Sequence, residues 1–294
     1  MKKPNPTSLT SYILLFLPPF FWSTNFIVGK ALVNDVPPWT LNTGRFIVSA
    51  LVLIPALLYR REWPPRHTLL PLVLMSLTGV FAFNAVLYIG LQYTSAINAT
   101  LVNSTTPVTT TCIAWVLIGE RITNRRVLGI LLSFAGVGWI VGQGSLDTLL
   151  HMKFNPGDVI VFFATSLWGF YTVMAKRMMQ HLSPLALTSL TTCIGALLLL
   201  PVASLELRTH PVELCRSEVL LAFVYLGIFP SFLAFLLWNR SIRTFGPGRA
   251  SLVYNTLPLF AVILSQVFLN ETLWTYQIVG GTVIVVGVVI GTRD

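Results

Sequence analysis

The chain reads as an all-α membrane protein of ten transmembrane helices, arranged as two inverted five-helix repeats around a central cavity. Three observations predict this. The first is composition: 54% of the 294 residues are hydrophobic and only 10% are charged, with a mean hydropathy of +0.76. A soluble domain carries about 25% charged residues, and so apolar a chain has too few charges to keep a water-facing surface in solution. The second is a succession of apolar segments of about 20 residues, the length needed to cross about 30 Å of hydrocarbon. The third is an internal repeat. Trp22, Lys30, Pro38 and Pro55 recur as Trp168, Lys176, Pro184 and Pro201 at one constant offset. Further on, Pro107, Glu120, Gly129 and Gly136 recur as Pro258, Glu271, Gly280 and Gly287 at a second, slightly longer offset, as a single loop-length difference produces. The copies occupy residues 1–146 and 147–294. Duplication inside a hydrophobic chain points to a secondary transporter.

The expected spans are 11–30, 38–59, 69–91, 96–118, 125–143, 157–177, 183–204, 218–238, 248–269 and 275–292. The first follows Lys2 and Lys3 in the manner of a signal peptide. It is long, aromatic, followed by further spans and without a small-residue cleavage site, so it reads as a retained helix. Pro37-Pro38 opens the second, and Pro64-Pro65 separates it from the third. Pro107 falls inside the fourth, and Gly129, Ser133, Gly136 and Gly138 mark the fifth. Asn155-Pro156-Gly157, Ser183-Pro184 and Gly246-Pro247-Gly248 are turn signals before the sixth, seventh and ninth. Pro258 falls inside the ninth, and Gly280, Gly281 and Gly287 mark the tenth. Such small residues allow helices to approach closely, within a monomer or across a homodimer. The longest polar stretches, 144–156 and 205–217, are too short for a separate soluble domain.

Lys and Arg are retained on the cytoplasmic side of a membrane. With the N-terminus inside and the helices alternating, 14 of the 19 basic residues fall on the inner side, while Asp and Glu fall mostly outside. Both termini are therefore expected in the cytoplasm, with the protein in the cell inner membrane. Five helices is an odd number, so the second copy enters the membrane in the opposite sense to the first. The loop bias accounts for the net charge of +9, and no nucleic-acid partner is implied. The expected partners are the lipid bilayer and a small-molecule substrate. Cys112, Cys193 and Cys215 have no C-x-x-C spacing, so neither a disulfide framework nor a zinc site follows. Phosphate-loop, H-E-x-x-H and G-x-S-x-G motifs are absent. No cofactor, ATP-driven pump or enzyme is implied.

Polar and aromatic side chains inside a spanning helix are costly against lipid and need a partner, a cavity or an interface. Trp22, Asn25 and Gly29 share one helical face, and the copy carries Trp168, Tyr171 and Ala175 at the same spacing. Phe81, Asn84 and Tyr88 share a face of the third helix. The fourth has Thr100, Asn103 or Ser104, and Pro107; the ninth has Ser251, Tyr254 or Asn255, and Pro258. Trp238 and Asn239 end the eighth. The expected substrate-binding residues are Trp22, Asn25, Asn84, Tyr88, Asn103, Trp168, Tyr171, Trp238 and Asn255. Against this stands a role in interfacial belts or helix glue, the reading preferred for Trp115, Trp139 and Trp274. Pro107 and Pro258 are expected hinges, each freeing the carbonyl four residues earlier, on Asn103 and Tyr254. Arg45, whose copy is Thr191, either attracts a substrate carboxylate or snorkels to headgroups; snorkelling is favoured. Lys30 and Lys176 sit at helix ends, where capping and snorkelling account for them; the alternative for Lys176 is pairing with a substrate carboxylate. No Asp, Glu or His falls mid-membrane, where proton-coupled carriers place one, so facilitated passage is expected.

Three paired motifs carry a resemblance: W-x7-K in helices one and six, P-x12-E from Pro107 to Glu120 and from Pro258 to Glu271, and the glycine-rich helix after each. Together they resemble the drug/metabolite transporter superfamily, in its ten-helix branch with two EamA-type repeats, over essentially the whole chain. Within that branch the chain is similar to YddG-type amino-acid exporters of bacterial inner membranes. The resemblance implies a basket in which helices one, three, four, six, eight and nine surround the cavity, with five and ten behind. It implies export of amino acids, including aromatic ones, and related metabolites by alternating access. The alternatives are a multidrug exporter of cationic compounds on the same fold, or a proton-coupled antiporter. The chain departs from phosphate-sugar carriers of the superfamily in lacking an intramembrane Lys/Arg cluster.

Overall fold

The computed structural model describes residues 9–32, 35–94, 96–153, 155–269 and 272–293, and among these the regular structure is helical throughout. Ten rods cross the fold. In the first copy, α1 is Leu9–Leu32 and α2 is Pro38–Arg60. The third rod, α3, joins Leu69–Met75, a wide turn over Ser76–Ala82 and Phe83–Leu91. The fourth, α4, joins Ala96–Asn103 and Thr106–Ile118, and α5 is Asn124–Val141. In the second copy, α6 is Pro156–Met178 and α7 is Pro184–Thr209. Then α8 joins Ser217–Leu226, a wide turn over Gly227–Leu233 and Ala234–Phe245. Last come α9, Pro247–Tyr254 plus Leu257–Leu269, and α10, Thr275–Thr292. Among the described residues, nine rods are long and apolar enough to cross a membrane, and α1 holds a shorter apolar stretch, Tyr12–Thr24.

The copies match in their irregularities as well as their helices. The π-type turns over Ser76–Ala82 and Gly227–Leu233 fall at the second repeat offset, and so do the breaks at 104–105 and 255–256. At each break a threonine hydroxyl satisfies an end-of-helix carbonyl. Thr105 Oγ1 donates to Val102 O at 2.6 Å, and Thr256 Oγ1 to Val253 O at 2.7 Å. The expectation of proline-kinked helices is corrected here. Pro107 and Pro258 begin new helical segments after a break, in the first turn, where a missing N–H removes no helix hydrogen bond. The Asn103 carbonyl accepts from Thr106 Oγ1 at 2.6 Å.

The glycine helices α5 and α10 lie back to back within one chain. A Cβ on Gly129 would come within 2.6 Å of Gly287 O, and one on Gly136 within 2.6 Å of Gly280 O. One number rises as the other falls, so these equivalent helices run antiparallel, as inverted copies require. Elsewhere α2 packs along α7, α6 against α3 and α4, and α1 against α8 and α9. The Glu206 carboxylate of α7 caps α2, accepting from Thr40 N at 2.6 Å and Trp39 N at 3.2 Å. Asp158, at the start of α6, accepts from Asn155 N at 2.7 Å and from Thr94 Oγ1.

Two further expectations change. Arg45 does not snorkel. It is 9% exposed, with its guanidinium 4.9 Å from the Phe46 ring, on a helix packed against the wide turn of α8. The eighth helix runs on to Phe245 instead of ending near 238, because Trp238, Ile242 and Phe245 form a buried stripe beneath its polar residues. Trp115, Trp139 and Trp274 remain on the outer surface of the bundle.

Candidate functional site

Where the copies meet, α1, α6, α8 and α9 bring a set of aromatic rings together. The Trp22 centroid lies 5.4 Å from Trp168, 5.3 Å from Trp238 and 5.7 Å from Tyr254. Trp168 stacks on Tyr171 at 5.2 Å and on Trp238 at 6.0 Å, and meets Phe83 at 5.4 Å. Phe235 packs edge-on to Trp22 at 5.9 Å and to Trp168 at 5.6 Å. Offset and edge-to-face contacts over this range are favourable for aromatic rings. The cluster closes on itself, with Trp168 at 3% exposure and Trp238 and Tyr171 at 0%.

Polar atoms thread the cluster. Asn239 Nδ2 donates to Tyr171 Oη at 3.2 Å and to Thr188 Oγ1 at 2.9 Å. Trp238 Nε1 donates to Thr172 Oγ1 at 3.3 Å, and Trp22 Nε1 to the Pro230 carbonyl at 3.0 Å. Asn103 reaches Tyr254, and its Oδ1 accepts from Thr165 Oγ1 at 3.4 Å. The third indole differs: Trp168 Nε1 is buried and has no acceptor. A buried donor without a partner costs about 1–3 kcal/mol.

Of the expected site residues, Trp22, Asn103, Trp168, Tyr171 and Trp238 converge here. Asn84 hydrogen-bonds within its own helix, from Nδ2 to Val80 O at 2.8 Å. Asn255 is a correction. Its Nδ2 donates to Ser133 Oγ at 3.0 Å, so it ties α9 to α5 at the back of the bundle and does not face the rings. Asn25 and Tyr88 fall on α1 and α3, and their side chains lie outside the described residues. Tyr254, Phe235 and Asn239 join the cluster without having been selected. They are the copies of Asn103, Asn84 and Tyr88, and the repeat offset applied to those positions finds all three.

One end of the bundle is tied shut. Glu120, at the end of α4, pairs with Arg126 of α5 at 3.1 Å and accepts from Gly248 N of α9 at 3.4 Å. Gly246, with φ +87, makes the sharp turn from α8 to α9 beside it, a conformation side chains disfavour. Lys176 Nζ donates to the Ile242 and Arg243 carbonyls at 3.3 and 2.9 Å, placing a cation at the C-terminus of α8 where the helix dipole favours it. The second half of α4 packs on the first half of α9 at this end. No comparable packing joins the equivalent halves, 96–103 and 257–269, among the described residues. Glu271, the copy of Glu120, lies outside the described residues.

Comparison with known proteins places this arrangement. The chain is 28% identical over 285 residues to an uncharacterized transporter, YyaM, of Bacillus subtilis, covering 95% of this chain and 92% of that one. It is 31% identical over 274 residues to another from the same organism, YetK, covering 90% and 81%. It is 25% identical over 267 residues to a protein of Chlamydia muridarum named as an S-adenosylmethionine/S-adenosylhomocysteine transporter, covering 88% and 84%. A solved crystal structure superimposes with a TM-score of 0.76 over 96% of both chains at 22% identity, a likeness of fold. The model of the EamA-like transporter family matches twice, over 9–142 and 155–293. Two matched copies meeting around a buried aromatic cluster, in a multi-pass helical bundle, make this chain a membrane transporter of the EamA-like family within the drug/metabolite transporter superfamily.

Proposed function

We propose that this transporter exports amino acids, aromatic ones among them, and small metabolites built on an amino-acid head, by alternating access and without a coupling ion. The copies 1–146 and 147–294 exchange conformations about the ring cluster. The Glu120 end and both termini face the cytoplasm of a cell inner membrane. Net flux follows the substrate gradient.

The observation that carries this reading is the indole of Trp168, a buried N–H with no acceptor inside a box of aromatic faces. A substrate carboxylate or carbonyl seated there supplies the missing acceptor. The faces of Trp22, Trp238 and Tyr254 take its side chain, or attract its ammonium by cation–π contact at about 0.5–2 kcal/mol. The rings part to admit it, and α4 and α9 bend at their breaks beside Pro107 and Pro258. The relative named for S-adenosylmethionine and S-adenosylhomocysteine supports such a substrate class, since both molecules join an amino-acid head to an aromatic base. The carboxylates that link the copies, Glu120, Asp158 and Glu206, are held at helix ends and do not sit among the rings, which supports uncoupled passage.

The second reading, an exporter of cationic drugs, draws on the same rings. Uptake of labelled amino acids into liposomes holding the purified protein, with and without an imposed pH gradient, separates them. Equilibrating amino-acid uptake that ignores the gradient is expected. Accumulation only with the gradient would replace uncoupled passage by proton coupling. No amino-acid uptake, with uptake of a cationic dye instead, would favour the drug reading.

A further inference from the structure

We propose that His67 and His181 form a binding site for a divalent transition-metal ion of the zinc class, stapling one copy to the other at the Glu120 end. His67 stands in the short turn Arg66–Thr68 that leads into α3. His181 stands in the turn after α6, where its backbone N–H donates to Met178 O at 2.9 Å. The two belong to different copies, and the fold brings their rings to a centroid separation of 5.1 Å with planes at 84°. Both residues are exposed to solvent, so an ion can reach them.

The separation is the one a shared ion needs. Zinc binds imidazole nitrogen at about 2.0–2.1 Å with tetrahedral angles, so two imidazoles on one ion hold their ring centroids about 5.2 Å apart. The rings approach that distance already, leaving rotation about the side-chain bonds as the adjustment required. Each turn is fixed locally: Thr68 Oγ1 donates to Pro65 O at 2.7 Å, and Leu182 N to Met178 O at 3.1 Å. Two protein ligands leave the remaining coordination positions to water, so the site is exchangeable instead of structural. Arg66, in the first turn, and Arg177, in the last turn of α6, are exposed. Their charges oppose a cation, and their exposure to solvent and salt weakens that opposition. Neutral imidazole suits zinc, nickel and copper and not calcium or magnesium, which prefer oxygen ligands. An ion held by one turn from each copy resists separation of the copies at this end, and so slows the exchange on which transport depends.

The test uses the full chain in liposomes, with zinc chloride as the probe and magnesium chloride as the control. Zinc is expected to raise the thermal unfolding midpoint of the parent protein. His67→Ala and His181→Ala should each lose at least half of that shift, and the double variant no more than the larger single loss, as one shared site requires. His151→Ala, which removes a histidine beside Asp147 at the other end, should keep the shift. His67→Gln, similar in size but a poor zinc ligand, replaces the alanine variant if that one does not fold. An undiminished shift in both single variants, or an equal loss in His151→Ala, overturns the site. Labelled-substrate uptake tests the staple separately: zinc should slow the parent several-fold and leave the double variant unaffected. Zinc binding lost in the variants but without effect on parental uptake overturns the staple and leaves the site.

Discussion

Trp22 and Trp168 occupy the same place in the two copies and behave differently. Trp22 donates its indole N–H to the carbonyl of Pro230 in the wide turn of α8. The matching position in the wide turn of α3 is Gly79, and there the ring of Tyr171 lies against the backbone. Tyr171 is the copy of the smaller Asn25. A large side chain beside Trp168 therefore takes the space over a residue with no side chain, and the Trp168 N–H is left without an acceptor. Of this pair of equivalent indoles one is matched and the other is not, and the exchange behind the difference is Asn for Tyr and Pro for Gly.

The largest expected effect comes from closing the space that permits this difference. A Cβ on Gly79 would fall 2.5 Å from Cγ of Tyr171, so Gly79→Ala should destabilise the protein by about 1–3 kcal/mol through overpacking and abolish most uptake. Thermal unfolding checks this. Adding Tyr171→Asn, the first copy's residue, should restore much of the lost stability; no rescue would mean the strain lies elsewhere.

Next in size is the donor itself. Trp168→Phe keeps a ring and removes the N–H, so KM for amino acids should rise about tenfold, the equivalent of about 1.4 kcal/mol. Trp22→Phe, which loses a bond inside the protein, should lower the unfolding midpoint more than it changes KM. Equal changes in KM for the two variants would break the comparison.

Glu120→Gln weakens the tie from α4 to α5 and α9, and should raise the labelling rate of a cysteine placed at the Glu120 end a few-fold. Unchanged labelling would show that packing alone shuts that end. Asn255→Ala should cost about 0.6–1 kcal/mol from its bond to Ser133, with KM unchanged; a large KM effect would return Asn255 to the site. The smallest effect is expected from Trp274→Ala, since that ring is 58% exposed: uptake at equal expression should match the parent, whereas Trp168→Ala should lose most of it.

The architecture was legible because membrane solvation imposes it. Apolar length sets the spans, and repeated prolines and glycines reveal the copies. Expected and observed spans agree to within about two residues for 38–59, 69–91 and 275–292. Legibility fails where backbone geometry departs from a plain helix. Nothing in the residues 76–82 announces a wide turn, and Pro107 reads equally well as a kink or as the first turn of a new segment. The rings were legible as a face of α1 and of α6. The choice between Tyr254 and Asn255 turned on rotation at a break in α9, which residue spacing does not fix. The end of α8 was missed because Asn239, Arg240 and Arg243 look like a loop when their buried neighbours at 238, 242 and 245 are read singly.

The seam between α5 and α10 bears on how such a carrier can move. Gly129, Gly136, Gly280 and Gly287 bring two backbones together with no side-chain layer between them, and Cβ positions there would sit 2.6–2.7 Å from opposing backbone atoms. A slide of one helical turn would push Leu132 or Ile284 into that gap. In the alternating-access reading proposed above, this pair would stay fixed while the other helices move against it. Small-residue seams of this kind are consumed inside the subunit, so a second subunit meeting this one would find a flank of leucine and valine instead of a glycine groove.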